Sequence, residues 1–278
     1  MKHLFLSCIA VGFALLLMGF ENESPYLPTI YDQYDREDKS WKVLSKEEIA
    51  ERMQKPVINI NTDKPFNFKA INRDGEEVGR VNTSAEYYQQ MRAGNVLSIY
   101  TNYDIMDNGL FRDIAMPLLY ISKAKPSKHS YVRDFPFGDD PLAMLSAEFV
   151  SYVGSDQREV KDKAVQENRS WRYLAPSSRI LGMSSDNIRV YSTFYEDMHN
   201  LSEEDEDRYQ GNSPSHCISP AVLGDLNNDG YEDIVLSCAH YYVEGSGRSY
   251  YFVILTRKSH DEVLEDITDE VNSSIWEN

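Results

Sequence analysis

The run Asp225-Leu226-Asn227-Asn228-Asp229-Gly230-Tyr231-Glu232-Asp233 sets oxygen-bearing side chains at relative positions 1, 3, 5 and 9, with glycine at position 6. Calcium takes roughly six to eight oxygen ligands and tolerates irregular geometry. Alternate residues of a tight loop point inward, so Asp225, Asn227 and Asp229 can converge on one centre. Gly230 permits the sharp reversal that a residue with a Cβ adopts only at a cost. The carbonyl of Tyr231 then faces the ion and Asp233 closes the ring. Three carboxylates more than balance a divalent charge and repel one another when no ion is present. The metal-free alternative is an Asn/Asp-rich hairpin turn.

The flanks decide what kind of loop this is. An EF-hand needs a bidentate glutamate at position 12 and a helix on each side. Position 12 here is Leu236, and Ile234-Val235-Leu236-Ser237-Cys238-Ala239 is an apolar, β-branched run that reads as a buried strand. Ile218 to Leu223 is also extended, because Pro220 argues against a helix. A strand–loop–strand unit with Gly224 to Val235 in this order resembles the FG-GAP or VCBS repeat, the calcium loop of integrin-like propeller blades. The resemblance covers roughly residues 215–258 and implies one bound Ca²⁺, held by Asp225, Asn227, Asp229, Tyr231 and Asp233. A propeller needs at least about four blades. The one echo, Asp104 to Asp113-Ile114, has the wrong internal spacing and reads as a turn. A single blade-like unit attached to an α+β body is therefore expected.

No other segment carries a reaction signature. HExxH, GxSxG, P-loop and dinucleotide patterns are all missing from the chain. His129, His199, His216, His240 and His260 are scattered without ligand spacing. His240, Tyr242 and Glu244 alternate onto one strand face, which keeps open a hydrolase site assembled from residues distant in sequence. A pocket gathering His240 with carboxylates is what would favour that alternative.

The positioning elements follow from local signals. Ser45 with Glu48 forms a capping box that opens a helix ending before Pro56. Residues 66–81 form a hairpin about Asp74-Gly75. Ser84 caps a second helix, closed by Gly94. Strands are predicted at 96–100, 117–122 and 188–194, and a helix starts at Asp140-Pro141 with Leu142, Leu145, Phe149 and Tyr152 on its buried face. Residues 155–169 read as a solvated helix or a loop, and the acidic cluster 202–207 as a solvated face. Beyond the calcium loop, 249–256 returns as a third antiparallel strand. If the hairpin joins at Leu223 and Ile234, Cys217 and Cys238 lie diagonally on one face, within or close to disulfide range.

Lys2-His3 followed by the uncharged stretch Leu4 to Phe20 reads as a signal peptide, with a signal anchor as the alternative. The chain then divides into a linker at 21–44, an α+β body at 45–210 and the calcium segment at 211–278. A net charge of −17 repels phosphate backbones and excludes nucleic acid as a partner. The sequence thus leads to an extracytoplasmic α+β protein with an antiparallel sheet, short helices and a C-terminal three-stranded calcium hairpin. Its expected partners are Ca²⁺ and, left open, an extracytoplasmic protein or a glycan. Membrane contact is expected only through an uncleaved N-terminal segment.

Overall fold

A computed structural model describes residues 26–32, 39–99, 102–150, 155–191, 216–241 and 248–277. The signal-like segment 1–20, the acidic cluster 202–207 and the residues Tyr242 and Glu244 lie outside the described residues. The chain is α+β. In order, it forms β1 (Thr29–Tyr31), β2 (Trp41–Lys42), α1 (Lys46–Gln54), β3 (Ile58–Asn59), β4 (Lys64–Pro65), β5 (Phe68–Ile71) and β6 (Glu77–Val81). Then come α2 (Ser84–Arg92), β7 (Val96–Leu97), α3 (Asn102–Lys123), two 3-10 turns (Pro141–Ala143 and Ala147–Phe149), α4 (Ser155–Gln166) and α5 (Trp171–Leu174). The rest is β8 (Arg179–Ser184), β9 (Asn187–Tyr191), β10 (His216–Gly224), β11 (Asp233–Tyr241), β12 (Arg248–Thr256), β13 (Glu265–Asp266) and α6 (Thr268–Glu277).

Local signals place most of these elements. Ser45 Oγ accepts from the Glu48 backbone at 3.1 Å while Glu48 accepts from the Ser45 N–H at 2.8 Å, the reciprocal box that satisfies two free donors of α1. In α2 the cap is Thr83 rather than Ser84, because Glu86 sits three residues after Thr83 and returns its hydrogen bond. Asp140-Pro141 opens a 3-10 turn instead of a longer helix, yet Leu142, Leu145 and Phe149 are buried as expected.

Residues 102–123 depart most from the sequence reading. The predicted turn at 104–109 and the predicted strand at 117–122 both lie within the single helix α3. Phe111, Ala115, Leu118 and Leu119 recur at helical spacing and are buried, and Tyr120 and Ile121 are buried as well. A helix covered on several sides presents a continuous apolar run that periodicity cannot separate from a strand. Pro117 costs one intrahelical hydrogen bond, and the packing of its neighbours outweighs that loss.

The main sheet runs β13-β12-β11-β10-β1-β2, all antiparallel, with β9 also on β10 and β8 on β9. Strands from 29–42, 179–191 and 216–266 thus share one sheet. The far edge of β10 is divided: β9 pairs with His216 to Ile218 and β1 with Val222 and Leu223. One face of the sheet packs Val235, Phe252 and Ile254 against α3, α2 and the β5–β6 hairpin. The other packs Ile234, Leu236 and Val253 against Phe137, Leu142 and Trp171. Burial on both faces explains why β11 reads as an unbroken apolar run rather than an alternating one.

Candidate functional site

The loop from Asp225 to Glu232 joins β10 to β11, whose ends meet at the pair Gly224 and Asp233. Gly224 is required by contact: a Cβ there would lie 2.7 Å from the Ala124 Cβ. Gly230 takes φ +89° and Asn228 φ +67°, the left-handed conformations that turn the chain back. The acidic side chains organise the backbone between them. Asp225 Oδ1 accepts the N–H groups of Asn228 and Asp229 at 2.6 and 3.2 Å, and its Oδ2 accepts Gly230 N–H at 2.9 Å. Asn227 Oδ1 accepts from Asp229 N–H at 3.2 Å, Asp229 Oδ1 from Tyr231 N–H at 2.9 Å, and Asp233 Oδ2 from Leu226 N–H at 2.7 Å. Each carboxylate keeps further lone pairs beyond these bonds.

Asp233 is fully buried; its Oδ1 makes no hydrogen bond of regular geometry, and the Thr256 hydroxyl, likewise buried, lies close to the carboxyl. Burial pushes its carboxyl up to about 7; the bond from Leu226 and the nearby Thr256 hydroxyl oppose that rise, and the negative charges of Asp229 and Asp225 add to it. Burial and two nearby like charges both disfavour the ionised form of this carboxyl. The structure thus brings Asp225, Asp229 and Asp233 within mutual electrostatic reach. It does not draw them into a closed cage, since among the described residues no three His, Cys, Asp or Glu side chains converge on a point. Asn227 and Asp229 instead cap loop N–H groups. Lys125 Nζ donates to Asn228 Oδ1 at 2.7 Å, and Lys258 Nζ stands 3.9 Å from Asp229. The donor set is all oxygen, which fits a hard cation of the calcium class.

What the sequence did not disclose is the segment that covers this loop. Lys125 and Asp225 exchange both backbone hydrogen bonds at 2.9 Å, Lys128 N–H donates to the Gly230 carbonyl at 2.8 Å, and Glu232 N–H donates to the His129 carbonyl at 2.8 Å. Glu232, fully buried, receives Arg133 through Nε at 2.7 Å and Nη2 at 2.6 Å, and Ser130 Oγ at 2.7 Å. The Tyr231 ring lies 5.2 Å from His129 and 6.3 Å from Tyr131. Glu232 was the one acidic position of the motif without an assigned role. Its partner is about a hundred residues away, so no spacing rule reaches it.

At the other end of β11, the His240 ring stacks on His216 at 4.6 Å and 15°, and His216 meets Trp171 edge-on at 4.8 Å. Burial lowers both imidazoles, His216 to about 3, with the charges of His240 and Lys161 adding to the effect on His216 and Lys161 adding to that on His240. His240 borders an open cleft of about 1160 Å³ that also contains Glu148, Lys161 and Asp269.

The expected Cys217–Cys238 disulfide is overturned by register. Leu223 does pair with Ile234 as anticipated, but a bulge between Pro220 and Val222 shifts the pairing by one residue. Cys217 then opposes Ala239 and Cys238 opposes Ile218, placing the two thiols on opposite faces of the sheet, and both cysteines are free. Pro220 lacks the N–H that a regular central strand would use, which suits a bulge.

Comparison of the chain with protein-family models, curated proteins and solved structures gives no match. Among the described residues, no helix is long and apolar enough to cross a membrane.

Proposed function

We propose that this chain is an exported calcium-binding protein, in which one Ca²⁺ at the 225–233 loop secures the junction between the central sheet and the covering segment 125–133. The observation that carries the reading is the gathering of three carboxylates on one loop, with Asp225 and Asp229 near enough to the buried Asp233 for their charges to disfavour its ionisation. Ligands would come from Asp225, Asn227, Asp229 and Asp233 and from the Tyr231 carbonyl. The ion would supply positive charge rather than reaction chemistry. The sequence resemblance to the FG-GAP or VCBS loop supports the same set, and the signal-like residues 1–20 support export. The role that follows is binding or structural: a metal-tightened scaffold without a catalytic set in its motifs.

Because the ion binds only the folded chain, calcium raises stability by mass action, by about 2.7 kcal/mol at a hundred times Kd. A Kd on the order of 10⁻⁴ to 10⁻³ M is expected, since the position-12 glutamate is replaced by Leu236. Thermal unfolding in EDTA and across a calcium titration tests this. The melting temperature rises with calcium in the parent chain and stays flat in Asp229→Ala. An equal rise in both, or none in either, refutes the site.

The competing reading, a hydrolase using His240, draws support from the cleft at that residue. There the imidazole lies against His216 and near Lys161, surroundings that suit a neutral ring rather than a general acid.

A further inference from the structure

A second cleft, of about 420 Å³, lies where three parts of the chain meet: residues 30–32 at the end of β1, the connection from α1 into β3, and residues 113–118 of α3. We propose that this cleft binds a carboxylate with an aliphatic body, of the short or medium-chain fatty-acid class.

The charged groups select the head. Asp32, Arg52, Lys55 and Asp113 line the cleft, and their formal charges cancel, so the lining does not repel an anion as a chain of net charge −17 does elsewhere. Both carboxylates are engaged within the protein. Asp32 accepts from Arg52 Nη1 at 3.1 Å and lies 3.9 Å from Lys42 Nζ, and Asp113 accepts the Ser237 hydroxyl at 2.9 Å. The cations keep donors to spare. Arg52 is 37% exposed and, among the described residues, bonds through Nη1 alone, which leaves Nε and Nη2 of its planar fork for a second carboxylate. Lys55 pairs with Glu51 at 2.6 Å, but both side chains are exposed, and an i,i+4 pair in water is readily exchanged for another partner.

The apolar surface selects the body. Ile58 and Ile60 are 43% and 39% exposed and Ile114 is half-buried, so each offers a face that a ligand can cover. Large aliphatic side chains left in water beside a few convergent polar groups are the arrangement that small-ligand sites use. The volume lies toward the lower end of the range for such sites, roughly 300 to 1,000 Å³, and admits an aliphatic chain of about eight carbons. A carboxylate on Arg52 and Lys55 then leaves its chain against Ile58, Ile60 and Ile114.

The test is isothermal titration of the whole chain with sodium octanoate in EDTA, with octanol and butyrate compared. Octanol, which lacks the head charge, should bind about tenfold more weakly. Butyrate should be weaker by about tenfold or more, since each buried CH₂ is worth up to about fourfold. Lys55→Glu and Ile58→Asp, both at exposed positions, should each weaken octanoate about tenfold. Lys163→Glu on α4, which breaks a similar exposed i,i+4 pair away from the cleft, should leave binding unchanged. Octanol binding as tightly as octanoate would show that the cations do not read the ligand. Equal losses in Lys55→Glu and Lys163→Glu would assign the attraction to overall charge, and absence of saturable binding below about 5 mM would also overturn the proposal.

Discussion

Replacing His216 by phenylalanine should make the protein less sensitive to acid. The His216 side chain is almost completely buried between the Trp171 ring and the His240 ring, with a hydrogen bond to the Phe149 backbone and the Lys161 charge nearby. Burial, then the charges of His240 and Lys161, lower its folded value to about 3 from an ordinary 6.5. The sign follows from proton counts: between those values the unfolded chain holds a proton that the folded chain refuses. Stability is therefore lost as pH falls below about 6.5, and the loss grows until about 3. At about pH 5 the difference is one and a half pH units, and at about 1.4 kcal/mol per unit the loss is about 2 kcal/mol. Phenylalanine keeps both ring contacts and removes the titration. It also removes the bond to Phe149, a pH-independent loss of about 1 kcal/mol. Asp233 works in the opposite direction, since its raised carboxyl lets the folded chain hold the extra proton at mildly acid pH. That contribution is common to both chains and cancels in the comparison. The assay is urea unfolding in EDTA at about pH 5, 6 and 7.5, reading the fall in unfolding free energy across the range for each chain. The variant's fall should be smaller by about 2 kcal/mol. Falls equal within about 0.5 kcal/mol, or a steeper fall in the variant, would refute the reasoning.

Two further outcomes follow from the loop and the sheet. Glu232→Ala strands Arg133, which is 36% exposed and can turn to water, so a loss of about 2 kcal/mol in urea unfolding is expected; an unchanged midpoint would show that the clamp contributes nothing. Thiol titration in denaturant should count the same number of cysteines with and without reductant, because Cys217 and Cys238 lie on opposite faces; extra thiols released by reductant would show that the register is wrong.

The legible parts of the fold are those with local causes. The capping box at Ser45, the turn at Gly75 and the strands either side of Asp225–Asp233 each follow from a few adjacent residues, and the structure has all of them. Helix α3 was illegible because its apolar run is buried on several sides, where a helix and a strand look alike. Of the site, the loop's own acidic and amide residues were evident from spacing, whereas Arg133, Ser130 and the covering segment were not.

Chain order alone determined the loop between β10 and β11, since its glycines, acidic side chains and strand-forming flanks act over distances of a few residues. Tertiary structure decided the rest. A single bulge at Pro220–Val222 moved Cys217 to the far face, because side chains alternate with a period of two. Packing at long separation buried Glu232 against Arg133, closed Asp233 away from water and stacked His240 on His216 beside Trp171. Burial and charge depend on which distant segments meet, and no spacing in a linear chain records that.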